Sequence, residues 1–293
     1  MKSDEEIRRE LPRIIDFIRR YVLPGEQVVV PVSGGLDSDV VARLCTLALG
    51  RERVRLFIVR QPCMEEKYLA NAQGLAEDLG VPLAVVEAGD MNRQLIGALQ
   101  EADPDAGFDL ESLLDPARAN CSLRTALISS YQDKGYLIAA NSNRSEIELG
   151  FFMPFGDNLG HFKPISHLYK SEVKKLAVLL CSRDGVISQS PSAGFWEGEN
   201  DLEDIAYWLY NGGPIPGGRT FTDQDVAAVE KLRGQLSQEK IDESLILLHE
   251  GCSYSEIQER TSLPVSIVEA LDKTVKHSAR AKNRDLMARL ERT

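Results

Sequence analysis

Residues 28–32, Val-Val-Val-Pro-Val, form an apolar β-type run that stops at Ser33-Gly34-Gly35 and re-enters a helical pattern at Ser38. An apolar run without polar alternation belongs to a strand buried in a sheet. The rest of the first half repeats the theme. Strands are expected at 28–32, 54–59, 83–87 and 136–140. Helices are expected to begin near Ser38, Glu65, Met91 and Ala117, and a helical stretch at 11–21 precedes a Pro-Gly turn. Strand–helix alternation of this kind predicts an α/β fold: a doubly wound, mostly parallel sheet with helices on both faces. Such sheets place ligand sites at the carboxyl ends of their strands.

The second half reads differently. Segments 103–116, 151–164 and 188–201 are loop-like, and Asn-Gly-Gly-Pro-Ile-Pro-Gly-Gly-Arg at 211–219 interrupts the chain strongly. Beyond it only helical patterns follow. The expectation is an α/β domain over 1–215 and a small helical C-terminal region over 216–293 that packs on it. The stripe Leu245, Leu248 and His249 reads as helix core, and Trp196 and Trp208 as packing residues.

Composition narrows the classes. The net charge of −11 opposes coating of nucleic acid, which needs lysine and arginine in excess. The tail has helix-turn-helix rhythm and a basic stretch at 276–284, but Glu256, Glu259 and Glu269 would face phosphate poorly, so no nucleic-acid partner is expected. Five scattered cysteines without a Cys-x-x-Cys pair fit reduced thiols, not a disulfide framework or zinc site. The first residues are too charged for a secretory leader, and no apolar run approaches the ~20 residues of a membrane span. The expectation is a cytoplasmic protein without a membrane partner.

The chemistry begins at Ser33–Ser38. A strand that ends in Ser-Gly-Gly before a helix turns successive backbone N–H groups outward at a helix N-terminus, which is an anion site. Gly34 and Gly35 let phosphate oxygens approach the main chain, and Ser33 and Ser38 add hydroxyls. Asp37 would repel a phosphate unless a divalent cation stood between them, and carboxylate plus phosphate oxygens suit Mg²⁺. The lysine of a Walker loop is missing, so that nucleotide site does not match.

The string Ser-Gly-Gly-x-Asp-Ser resembles the PP-loop of the N-type ATP pyrophosphatases, which cleave ATP between its α- and β-phosphates. Further segments follow in order: Asn-Cys-Ser-Leu-Arg-Thr at 120–125, Asn-Ser-Asn-Arg-Ser-Glu-Ile-Glu-Leu-Gly at 141–150, Phe-Gly-Asp-Asn at 155–158, Lys-Pro-Ile-Ser-His-Leu-Tyr-Lys at 163–170 and Pro-Ser-Ala-Gly-Phe-Trp at 191–196. Together they resemble the ammonia-dependent NAD synthetase family, archaeal-type members in particular, over roughly residues 5–280. The resemblance implies a Rossmann-like, adenine nucleotide alpha hydrolase-like fold. It implies a ligase that adenylates the carboxylate of nicotinic acid adenine dinucleotide with ATP and amidates it with ammonia, releasing AMP and pyrophosphate.

The resemblance also assigns residues. It implies that Ser33, Gly34, Gly35, Asp37, Ser38, Arg124, Asn141, Lys170 and Ser192 bind ATP, and that Asp37 and Glu146 hold Mg²⁺. Asp37, Lys170 and Asp157 are the implied catalytic residues, Asp157 beside the nicotinate end. Taken singly, Glu146, Arg124, Lys170 and Asp157 also suit a helix start, a helix surface, a solvated charge run and a turn. The family is homodimeric. No glutaminase is left over in the chain, so free ammonia or a separate glutaminase partner is the implied nitrogen source.

Three departures stand out. The family usually has threonine where Asn141 stands, lysine where Pro154 stands, and a His-Lys pair where Arg280-Ala281 aligns. They leave ATP use in place and keep open an alternative: an NAD synthetase-like ligase that adenylates and amidates a different carboxylate. A tRNA thiolase on the same loop would want a cysteine set and a basic surface, whereas Cys63 stands alone in an acidic chain.

Overall fold

The structure, a computed structural model, describes residues 1–61, 64–112, 114–151, 159–190, 200–213, 215 and 220–282. Four strands carry the first half: β1 (Gln27–Pro31), β2 (Val54–Arg60), β3 (Leu83–Glu87) and β4 (Tyr136–Ile138). They form one parallel sheet in the order β3-β2-β1-β4, with Val28 opposite Val54 on one side of β1 and opposite Leu137 on the other. The chain winds outward from β1 to β3, then returns to lay β4 on the far side of β1. The winding direction reverses between β1 and β4, the switch point at which sheets of this kind bind their ligands.

Thirteen α-helices lie among the described residues. Around the sheet are α1 (Asp4–Tyr21), α2 (Leu36–Leu49), α3 (Glu66–Leu79), α4 (Met91–Ala102) and α5 (Leu114–Ser129). Then come α6 (Arg144–Leu149), α7 (Lys170–Leu179), α8 (Asp184–Ser188), α9 (Asp201–Asn211), α10 (Asp223–Arg233), α11 (Gln238–His249), α12 (Tyr254–Thr261) and α13 (Val265–Lys282).

Strand alternation sorts the apolar side chains into two cores. Val28 and Val30 of β1 and Leu56 and Ile58 of β2 face one layer, with Ile14 and Ile18 of α1, Leu44 of α2 and Leu176 of α7. Val29, Phe57 and Ile138 face the other layer, with Ile128 of α5 and an edge-on pair of rings, Phe57 and Tyr131, 5.4 Å apart. Val28, Val29 and Val30 are all fully buried. Burying each such side chain contributes about 1.5–3 kcal/mol, which fixes β1 at the centre of the sheet. The expected α/β fold with helices on both faces is therefore the observed one.

Two compact units divide the chain: residues 2–144 with 152–201, and residue 1 with 145–151 and 202–293. The second is helical. Within it Ser145 Oγ donates to the buried carboxylate of Asp242 at 2.6 Å, Gln238 Nε2 donates to the same oxygen at 2.8 Å, and Ser278 Oγ donates to the Leu149 carbonyl. Ile241, Leu245 and Leu247 form its core side of α11, and His249, expected in that stripe, is exposed in the last turn of the helix. Trp208 packs edge-on against Phe151.

Candidate active site

β1 ends at Pro31, and the chain turns through Ser33-Gly34-Gly35 into α2. The helix begins at Leu36, two residues before the expected Ser38, because extended Gly35 (φ −97°, ψ 172°) takes the N-cap position. No side chain caps this helix end. Both serine hydroxyls are engaged within the turn: Ser38 Oγ donates to the Gly35 carbonyl at 3.0 Å and accepts from Ser33 N at 3.1 Å, while Ser33 Oγ accepts from Gly35 N at 3.3 Å. The serines thus set the shape of the turn. The first amides of α2 are left to a ligand or solvent, as an anion site requires.

Gly34 is held from behind. Its φ is +76°, a region that disfavours any side chain. A Cβ there would lie 2.1 Å from the Tyr68 carbonyl oxygen at the start of α3. Two side-chain amides reach its carbonyl, Asn71 Nδ2 at 3.1 Å and Gln189 Nε2 at 3.0 Å.

Asp37, in the first turn of α2, pairs with the ammonium of Lys170 on one oxygen and accepts from Asn143 Nδ2 at 3.0 Å on the other. The pair is nearly buried, with side-chain exposures of 11% for Lys170 and 13% for Asp37. Lys170 opens α7, so its charge sits against the positive end of that helix dipole, and Asp37 compensates it. Two helix N-termini and one lysine therefore converge on a single carboxylate, and the surplus of positive potential suits an anion.

Asn141 follows β4, and its Nδ2 donates to the Pro31 carbonyl at 2.6 Å, which ties the ends of β1 and β4 together. Its Oδ1 is buried with no hydrogen-bond partner among the described residues. Arg124 lies half-buried on α5, with Nη2 donating to Cys121 Sγ at 3.3 Å. Glu146 lies in the first turn of α6, in the helical unit. Asp157, Ser192, Pro154 and Cys63 lie outside the described residues, as do the side chains of Arg280 and Ala281.

Of the expected residues, the structure brings Ser33, Gly34, Gly35, Asp37, Ser38, Asn141 and Lys170 to one end of the sheet. It adds three that the sequence reading did not single out: Asn143, Asn71 and Gln189. Asn143 is fully buried and stands in the segment already quoted. Nothing local marks Asn71 or Gln189.

Among the described residues no group of three or more His, Cys, Asp or Glu side chains is placed to hold a metal by itself. Mg²⁺ commonly takes only one or two protein carboxylates and completes its shell with substrate phosphates and water. Asp37 fits that role. Its oxygens carry about four acceptor sites, of which the two donors facing it use two.

A sequence profile of the NAD synthase family matches residues 10–210. The chain belongs to the NAD synthase family. Its turn after β1, with Asp37 and Lys170, lies inside the matched region. Among its relatives are the NH(3)-dependent NAD(+) synthetase of Methanocaldococcus jannaschii, 34% identical over 207 residues, and that of Pyrococcus furiosus, 31% identical over 194 residues. The alignments cover 70% of this chain and 77% of the first relative, and 66% and 71% for the second. Solved structures share the fold of this NAD synthase family member. The NMN synthetase from Francisella tularensis aligns with a TM-score of 0.70 at 19% identity, over 99% of this chain and all of that one. The NH3-dependent NAD synthetase from Campylobacter jejuni in complex with nitrate aligns at 0.67 and 22%, over 98% of this chain and all of that one. Among the described residues no helix is long and apolar enough to cross a membrane.

Proposed function

We propose that the chain makes NAD by amidating nicotinic acid adenine dinucleotide with ammonia at the expense of ATP. The observation that carries this reading is the junction of Asp37, Lys170 and Asn143 at the uncapped N-terminus of α2, in a chain of the NAD synthase family. A carboxylate is a poor electrophile toward ammonia. Its oxygen therefore attacks the α-phosphorus of ATP, and the bond to the β-phosphate oxygen breaks with release of pyrophosphate. Ammonia then adds to the acyl carbon of the adenylate, AMP departs with the bonding pair, and the nitrogen loses a proton. Splitting the substitution in this way replaces one hard step with two easier ones.

In this reading the residues take the following parts. The amides that open α2 and the ammonium of Lys170 receive the charge that grows on the leaving pyrophosphate. Asp37 holds Lys170 and would be a protein ligand to Mg²⁺, which when bound would neutralise phosphate charge. Asn143 orients Asp37. Asn141 contributes its buried Oδ1 as an acceptor for ATP, and Arg124 and Ser192 complete the ATP contacts. By the family resemblance, Glu146 would be the second metal acid and Asp157 the acid that serves the nicotinate end. The same reading includes a homodimer, a cytoplasmic location, and ammonia taken free or from a separate glutaminase.

Incubation with nicotinic acid adenine dinucleotide, ATP, Mg²⁺ and an ammonium salt, followed by separation of NAD and AMP, tests the proposal. NAD and AMP in equal amounts are expected. ATP cleavage that occurs only when a different carboxylic acid is supplied would transfer the reading to a sibling ligase with another acceptor.

A further inference from the structure

The turn that receives pyrophosphate has a polarity problem. Every peptide that offers an N–H to an anion carries a carbonyl oxygen that would repel the same anion if the plane rotated. Gly34 and Gly35 have no Cβ to restrict that rotation, so the sequence that makes the turn permissive also makes it liable to flip.

The structure answers with two side chains from distant parts of the chain. Asn71, one turn beyond Tyr68 on α3, donates Nδ2 to the Gly34 carbonyl at 3.1 Å. Gln189, just after α8, donates Nε2 to the same oxygen at 3.0 Å. The two amides are also joined to each other, Asn71 Nδ2 to Gln189 Oε1 at 2.9 Å. This fixes which end of each amide faces the turn. Reversing either would set an amide oxygen against the Gly34 carbonyl. Both lone pairs of that carbonyl are thereby engaged on the α3 side. The N–H of the same peptide, on Gly35, points to Ser33 Oγ at 3.3 Å, on the side of the Ser33–Ser38 hydroxyl pair. The Tyr68 carbonyl behind Gly34 closes off the space into which the loop would otherwise relax.

We propose that Asn71 and Gln189 are positioning residues for pyrophosphate formation: together they clamp the Gly34 carbonyl away from the open amides of α2 and keep the Gly35 amide on its bond to Ser33 Oγ within the turn. The proposal rests on the ATP-cleaving reading above. Neither residue touches the reacting atoms. Each acts through the orientation of one peptide plane.

The test uses the full chain and the near-isosteric variants Asn71→Asp and Gln189→Glu, which replace a donor by an acceptor at unchanged size. Titration calorimetry with inorganic pyrophosphate and Mg²⁺ is expected to show affinity lower by about tenfold in each, the effect of losing one hydrogen bond to a buried carbonyl and facing it with a repelling oxygen. KM for ATP is expected to rise by a similar factor while KM for the acceptor acid stays within about twofold. Gln189→Lys, whose ammonium can donate to the same carbonyl, is expected to recover most of the loss, which a purely structural role would not allow. Pyrophosphate affinity within about twofold of the parent in both acceptor variants overturns the clamp. The underlying function is tested separately by the parent chain, since failure of the parent to bind pyrophosphate and release AMP overturns that reading. In that event the crystal structure of Gln189→Glu still decides the clamp: a rotated Gly34–Gly35 peptide upholds it, and an unmoved one ends it.

Discussion

Asp37 and Lys170 illustrate how a pair can be weak as a stabiliser and still indispensable. Both side chains are nearly out of water, and desolvating two charges offsets most of what their attraction gains. Removing one partner is a different matter, because the other is left buried and uncompensated at a cost of about 3 kcal/mol or more. Asp37→Ala and Lys170→Ala are therefore each expected to lower stability by that order, with the double variant losing no more than either single one. Urea unfolding of the four proteins gives the coupling, and simple additivity would contradict the buried-pair argument. Activity should not follow the same rule. On the function proposed above, AMP release is expected to fall at least about a hundredfold in every variant, since restoring charge balance does not restore the groups proposed to face the leaving phosphate. Both residues were readable in the chain because each sits in a motif. Asn143 was not singled out, although its amide fixes the second oxygen of Asp37, because an asparagine in a loop gives no sign of a contact 106 positions away.

At the scale of elements, the local pieces were the legible ones. The turn after β1 follows from adjacent residues, and the strands at 54–59 and 83–87 fall within a residue of β2 and β3. Strand order was not legible, since nothing in a single strand states its neighbours. Nor was the brace that steadies α2. Its buried Asp39 pairs with Arg43 at 2.8 Å and accepts from Ser182 Oγ, Arg43 reaches Asp78 at the end of α3 at 3.0 Å, and Arg183 reaches Asp78 at 2.7 Å. Gly74 makes room for this, because a Cβ there would meet the Arg183 guanidinium. The brace has a pH signature. Hydrogen bonds from Arg183, and after them from Arg43, hold the Asp78 carboxyl below its ordinary value of 3.8 despite partial burial. A carboxyl with a depressed folded-state pKa stabilises the fold fully above its unfolded value and loses that contribution as pH falls through the folded one. The parent is thus expected to melt above Asp78→Asn at pH 6, with the gap closing as pH drops below 3.8. A gap that stays constant down to pH 2.5 would mean that the pair contributes nothing through ionisation.

At the scale of the whole molecule, the chain passes between its two units at a chemically sensitive place. Asn143 holds Asp37 in one unit, and two residues later Ser145 belongs to the other, where it bonds Asp242. The helical patterns after residue 220 were plain in the sequence. The inclusion of residues 145–151 in the helical unit was not, because the bond from Ser145 to Asp242 spans 97 positions and involves side chains that look like ordinary surface groups. Asp242 is fully buried, and its Oδ1 accepts from both Ser145 and Gln238. Taking that acceptor away removes it from the buried Ser145 hydroxyl and the half-buried Gln238 amide, at a cost of about 1–3 kcal/mol. Asp242→Ala is accordingly expected to lower the melting temperature by several degrees, whereas Asp242→Asn, which keeps Oδ1, should stay close to the parent. The more telling measurement is AMP release per folded molecule, taken well below the melting point. If the anchor at Ser145 helps fix Asn143 through the two peptide bonds between them, Asp242→Ala loses turnover even when fully folded, and Asp242→Asn does not. Unchanged turnover in folded Asp242→Ala would show that the tail stabilises its own unit and leaves the Asp37 site alone.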